Sequence, residues 1–181
     1  MKTKDIVYAA VGGALAFIIM RLTAFPLFAS ATFLKMEFSE VPLLLLSVLV
    51  SPVVGLCSLL IKDVLLFCTG SNIFGAISDF LAGGIFILLF SLIVGKQGGP
   101  KRVLAASLIA PVGRMLFSIP LNLVILRLQF GTAPGQVMAM MPVLLPFNFI
   151  KSLLGVVCFA LLYPRLRRAA PWLGCGDDKK M

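Results

Sequence analysis

A few polar side chains interrupt an otherwise apolar sequence, and their types limit the chemistry available. Asn148 and Lys151 stand three residues apart, so in a helix they share one face. Asn122, Asp79, Arg114 and the adjacent pair Lys62 and Asp63 are the others. Amide and ammonium groups are hydrogen-bond donors suited to carbonyl oxygens and ring nitrogens. They are poorly suited to breaking bonds. The sequence has no histidine, which removes the commonest general base and metal ligand. It has no G-x-S-x-G, no H-E-x-x-H and no phosphate-binding G-x-x-x-x-G-K-[ST]. Cys57, Cys68, Cys158 and Cys175 form no C-x-x-C pair, and three of them lie in apolar runs as small core residues. The expectation is reversible binding, with no catalytic residue and no metal site. Uphill movement of a solute would take its energy from a partner or an ion.

The surroundings of these groups are those of a membrane protein. The chain has 181 residues, 60% of them hydrophobic and 13% charged. Mean hydropathy is +1.09. A soluble domain carries roughly twice that charged share. The net charge of +9 sits at helix ends and in short loops, as orientation signals do, which argues against nucleic acid as a partner. An all-α bundle in a lipid bilayer follows, as a single domain over residues 1–168 with a basic and polar tail over 169–181. Lys2 and Lys4 before an apolar run, with Ala29-Ser30-Ala31 after it, mimic a cleaved leader. Arg21 and Pro26 separate run and site too widely, so a retained first span is expected.

Six helices are predicted to position the polar groups. The first covers about Asp5 to Thr23. The second begins at Ser39-Glu40-Val41-Pro42, an N-cap and early-proline signature, and ends near Ser51-Pro52. The third runs to about Cys68, the fourth from about Phe74 to Val94, the fifth from about Arg102 to Leu128, and the sixth from about Pro142 to Tyr163. The second and third are short for full spans and are also compatible with one broken pair. With the N-terminus inside, Lys2, Lys4, Lys96, Lys101, Arg102, Arg165, Arg167, Arg168, Lys179 and Lys180 are cytoplasmic, whereas Arg21, Lys35 and Arg127 are outside. The cation excess gives both ends in the cytoplasm.

A charge at mid-membrane costs roughly 2.5–3.5 kcal/mol on insertion scales and needs a partner or a task. On these helix bounds the polar groups lie roughly 7–14 Å below the outer boundary, at about 1.5 Å per residue. Asn148 and Lys151 read as part of a solute pocket. Lys62 and Asp63 read as structural pairing, because neighbours on a helix point to different faces. Arg114 reads as the partner of Asp63 or Asp79, and Asn122 fits either reading. On the first helix, Ala10 and Ala14 would admit another helix closely, either within this chain or from a partner.

Several segments resemble the riboflavin-specific S component of energy-coupling factor (ECF) transporters. These are Phe33-Leu34-Lys35-Met36-Glu37-Phe38-Ser39-Glu40-Val41-Pro42, Ser51-Pro52-Val53-Val54-Gly55, Leu60-Ile61-Lys62-Asp63 with Thr69-Gly70-Ser71, and Pro120-Leu121-Asn122. The most specific is Leu145-Pro146-Phe147-Asn148-Phe149-Ile150-Lys151, continuing to Leu161-Leu162-Tyr163-Pro164-Arg165-Leu166. The resemblance implies six membrane helices of a bacterial cell-membrane protein, no chemistry on the substrate, and riboflavin as transported ligand rather than cofactor. It implies a site near the outer face in which Asn122, Asn148 and Lys151 hydrogen-bond the flavin, Asp79 contributes from the fourth helix, and Leu34 and Met36 cover it. Ala76 and Asp79 stand where the family often has Glu and Asn. Ala10 and Ala14 would dock on a membrane T component carrying two cytoplasmic ATPases. Two other readings stay open: an S component for another vitamin, and a stand-alone carrier coupled to an ion through Asp63, Asp79 and Arg114.

Overall fold

The computed structural model describes residues 2–27, 34–95 and 98–169, with side chains to residue 166. Ala29-Ser30-Ala31, Phe33, Lys96, the tail beyond 169 and the side chains of Arg167 and Arg168 lie outside the described residues. Among the described residues are six α-helices and one short β-hairpin.

Helix α1, Thr3–Thr23, opens where the backbone N–H of Lys2 donates to the Asp5 carboxylate at 2.9 Å. Beyond it, β1 (Phe25–Pro26) pairs antiparallel with β2 (Lys35–Met36), Phe25 opposite Met36. Thr23 ties this hairpin down: its hydroxyl donates to the Ile19 carbonyl at 2.7 Å and accepts the Phe38 N–H at 3.2 Å. Two residues per strand are too few to show an alternating pattern, so the sequence read here as loop.

Helix α2, Glu40–Leu49, starts where its sequence suggests, but the Ser39 cap does not form. The Ser39 backbone is already helical, and its buried hydroxyl has no hydrogen-bond partner among the described residues. Helix α3, Pro52–Cys68, follows with a formed cap, Ser51 Oγ accepting the Val54 N–H at 3.2 Å. The two helices fold back on each other. A Cβ on Gly55 would lie 3.1 Å from the Cα of Ser47, so α2 and α3 pack directly against each other across the Ser51 turn.

Asn72 caps α4, Ile73–Val94, by accepting the Phe74 N–H at 2.9 Å. Helix α5 spans Pro100–Phe130, with Gly131 in the left-handed region closing it. Helix α6 spans Pro134–Ala169. It starts well before Pro142, because Pro134 suits a first turn and the Gln136 side chain accepts the Ala133 N–H at 3.1 Å. Pro142 and Pro146 then sit inside a helix that continues through them. Asn148 and Lys151 are consequently 14 and 17 residues from its start, deeper than the sequence suggested.

The short α2 lies at the centre, packed against α1, α3, α4 and α6. Leu43 and Leu44 meet Phe86, Phe90, Ala106, Ala110 and Phe159 in the main core. The outside of the bundle is apolar: Leu104, Leu108, Leu116, Val124 and Leu128 of α5 are all exposed. An apolar outside around a polar centre suits hydrocarbon as solvent, where helices satisfy their own backbone. Helices α1, α4, α5 and α6 are each long and apolar enough to cross a membrane. On α1 the inward contact is made by Ala9, Gly12, Gly13 and Ala16, whereas Ala10 and Ala14 are exposed.

Candidate functional site

A cavity of about 690 Å³ opens beneath the hairpin, walled by α4, α5 and α6. That volume is typical of small-molecule sites, which run roughly 300–1,000 Å³. Asn122, Asn148, Lys151, Asp79 and Leu34 all line it. Three helices and the hairpin thus bring five of the sequence-derived site residues together.

The sixth, Met36, goes elsewhere. Successive strand residues point to opposite faces. Lys35 borders the cavity while Met36 is buried in a cluster with Leu34, Leu126, Val137, Met141, Leu144 and Phe147. Met36 therefore fastens the hairpin to α5 and α6 near their junction, packing among Leu126, Leu144 and Phe147 of the cavity wall. The extra turns of α6 stand above the polar groups and deepen the site.

The amides are held differently. Asn148 donates from Nδ2 to the Leu144 carbonyl at 3.0 Å, which fixes its rotamer and leaves the rest of the amide for another partner. Its backbone carbonyl accepts the Ser152 hydroxyl at 2.8 Å. Asn122, near the end of α5, makes no side-chain hydrogen bond among the described residues, although it is only 9% exposed. A buried amide without a protein partner is costly to leave dry, and a solute in the cavity would satisfy it.

The floor is an ion-pair network. Lys151 Nζ lies 2.9 Å from Glu37 Oε1 and 3.0 Å from Asp79 Oδ1. Arg114 pairs with Glu40 and lies 3.9 Å from Asp79. Lys62 pairs with Asp79, and with Asp63 at 2.9 Å. Asp79 is thereby the one carboxylate of the network adjoining all three cations. Sequence neighbours Lys62 and Asp63 do meet, because the long lysine stem swings over the helix surface. Arg114 takes Glu40 first and Asp79 second; Asp63 does not pair with it. The guanidinium also lies 5.6 Å from the centre of the Phe86 ring, a favourable cation–π distance.

Three buried cations meet three buried carboxylates and the half-buried Asp79, and each cation that is taken out of water finds at least one anion. The network draws on α2 through α6 and on Glu37 in the segment between the hairpin and α2, so it clamps five helices and that segment around one point.

The family model for the substrate-specific component of ECF transporters matches residues 4–163. The chain belongs to that family. This S component is 26% identical to the riboflavin transporter FmnP of Bacillus subtilis (strain 168), over 96% of its own length and 95% of the relative's. It is 28% identical to the riboflavin transporter RibU of Staphylococcus aureus (strain TCH60), over 91% of each chain. A solved S component of a bacterial ECF transporter superposes with a TM-score of 0.83 at 26% identity, covering 93% of this chain and 98% of that one. Transport, not catalysis, is the role of such components, and this one is a multi-pass protein of the bacterial cell membrane.

Within the S component, two carboxylates escaped the sequence reading. Glu37 falls between the first two predicted helices and Glu40 at the start of the second. Both are buried, and both face cations contributed by distant helices.

Proposed function

We propose that this S component binds riboflavin, or a close flavin analogue, in the cavity under the hairpin. The observation that carries this reading is that Asn122, Asn148 and Lys151 border one chamber also walled by Leu126, Leu144 and Phe147. A flat tricyclic ring with carbonyl and nitrogen acceptors along one edge needs both kinds of wall. The names of the relatives support the same ligand. Leu34, at the cavity rim, covers the bound ring.

The protein crosses the membrane six times, with both ends in the cytoplasm. Gly98, in the turn between α4 and α5, abuts Tyr163 near the end of α6, so those ends lie together. The hairpin and the α5–α6 junction share the other end. Lys2, Lys4, Lys101, Arg102 and Arg165 belong to the first end, and Arg21, Lys35 and Arg127 to the second, which supports placing the cavity mouth outside.

Ala10 and Ala14 are exposed on α1 and would receive a helix of the T component, which carries two ATPases that supply the energy. A stand-alone ion-coupled carrier would need Asp63, Asp79 and Arg114 available to a moving ion, whereas all three are engaged in ion pairs.

Mass spectrometry of the solute that co-purifies with the full-length protein tests the reading. A yellow preparation containing flavin is expected. A different vitamin, bound at one equivalent, would overturn the flavin assignment.

A further inference from the structure

Lys151 has three N–H donors. Glu37 takes one at 2.9 Å and Asp79 another at 3.0 Å. Glu40 Oε1 waits 3.8 Å from the same nitrogen, just beyond hydrogen-bond reach, and is occupied by the Arg114 guanidinium. Arg114 is buried, borders the cavity floor and is braced against Phe86. It thus stands between Lys151 and a carboxylate that would otherwise compete for it.

We infer that Arg114 is a positioning residue: by holding Glu40, it keeps the third donor of Lys151 available to the solute. Arg114 acts through Glu40 and Lys151 and need not touch the ligand. Without the guanidinium, Glu40 would be a buried carboxylate lacking its partner, and the nearest remaining cation is Lys151. A swing of less than 1 Å in the Glu40–Lys151 separation would close a third bond and take the donor away. This inference rests on the proposed flavin site, in which Lys151 donates to the ligand.

The test uses full-length protein in detergent, with riboflavin as probe and quenching of flavin fluorescence as readout. Arg114→Met is expected to weaken riboflavin binding about tenfold or more. Adding Glu40→Gln in the same chain removes the competitor and is expected to restore affinity to within about threefold of the parent. A merely structural loss at Arg114 would not be rescued this way. The double variant keeps the inference testable even if Arg114→Met alone does not fold, because it leaves neither a stranded buried charge nor a competitor for Lys151. An unrescued double variant that remains folded would overturn the inference. Lys151→Met, measured alongside, separates the two readings. Unchanged binding in it refutes the flavin site itself, whereas a loss there with normal binding in Arg114→Met refutes only the positioning role.

Discussion

Lys151 of α6 reaches back to Glu37, in the segment before α2, across 114 residues of sequence and 2.9 Å of space. This pair fastens the connection that bears the hairpin to the helix that bears the amide Asn148. The residue expected to hold the solute is thus also one of those holding the hairpin in place. Ligand affinity and the set of the hairpin are consequently joined at one nitrogen.

Truncation at that nitrogen should be costly for binding. A hydrogen bond to a charged group is worth about 1.5–3 kcal/mol, so Lys151→Ala is expected to lower riboflavin affinity roughly 10- to 100-fold. Asn148→Ala removes a neutral donor and should cost about tenfold or less. Titration by fluorescence quenching checks both, and normal binding in the two variants would show that the site lies elsewhere.

Lys62 has a different profile. It is fully buried and is not among the groups bordering the cavity, yet it neutralises Asp63 and Asp79. Lys62→Met should destabilise the fold by about 3–5 kcal/mol, because it strands carboxylates in the interior. The melting temperature in detergent should fall clearly, while protein that stays folded keeps riboflavin affinity within about threefold. Loss of affinity without loss of stability would make Lys62 a ligand contact.

Gly13 reports on the seam between α1 and α3. A Cβ there would lie 2.7 Å from the Ser58 carbonyl oxygen and 2.8 Å from the Ile61 Cβ. Backbone cannot yield as a flexible side-chain end does, so Gly13→Ala should cost about 1–3 kcal/mol. Thermal unfolding of the purified variant measures it, and an unchanged melting temperature would mean that the helices separate easily.

Ala14 faces outward, and a bulky residue there leaves the interior alone. Ala14→Leu is expected to bind riboflavin as the parent does and yet to lose uptake in cells that carry the energising subunits. Normal uptake would remove this face of α1 from the partner interface.

The bundle was legible from hydropathy, since a long apolar run must satisfy its backbone internally and so becomes a helix. Asn148 and Lys151 were legible from their spacing, since three residues along a helix return to the same face. The hairpin was not, because two-residue strands are specified by tertiary support: Thr23 holds one side and Met36 the other. The early start of α6 was hidden by Pro142 and Pro146, which a continuous helix accommodates here.

The sequence by itself determined that buried cations must exist and that anions must answer them. Between Ile6 and Cys175 its acids are Glu37, Glu40, Asp63 and Asp79, and all four converge on Lys62, Arg114 and Lys151. That tally could have shown Glu37 and Glu40 to be interior. Which acid answers which cation was decided only by tertiary structure. Ion pairing depends on distances of a few ångströms between groups on different helices, and helix periodicity carries no information about what lies across the bundle.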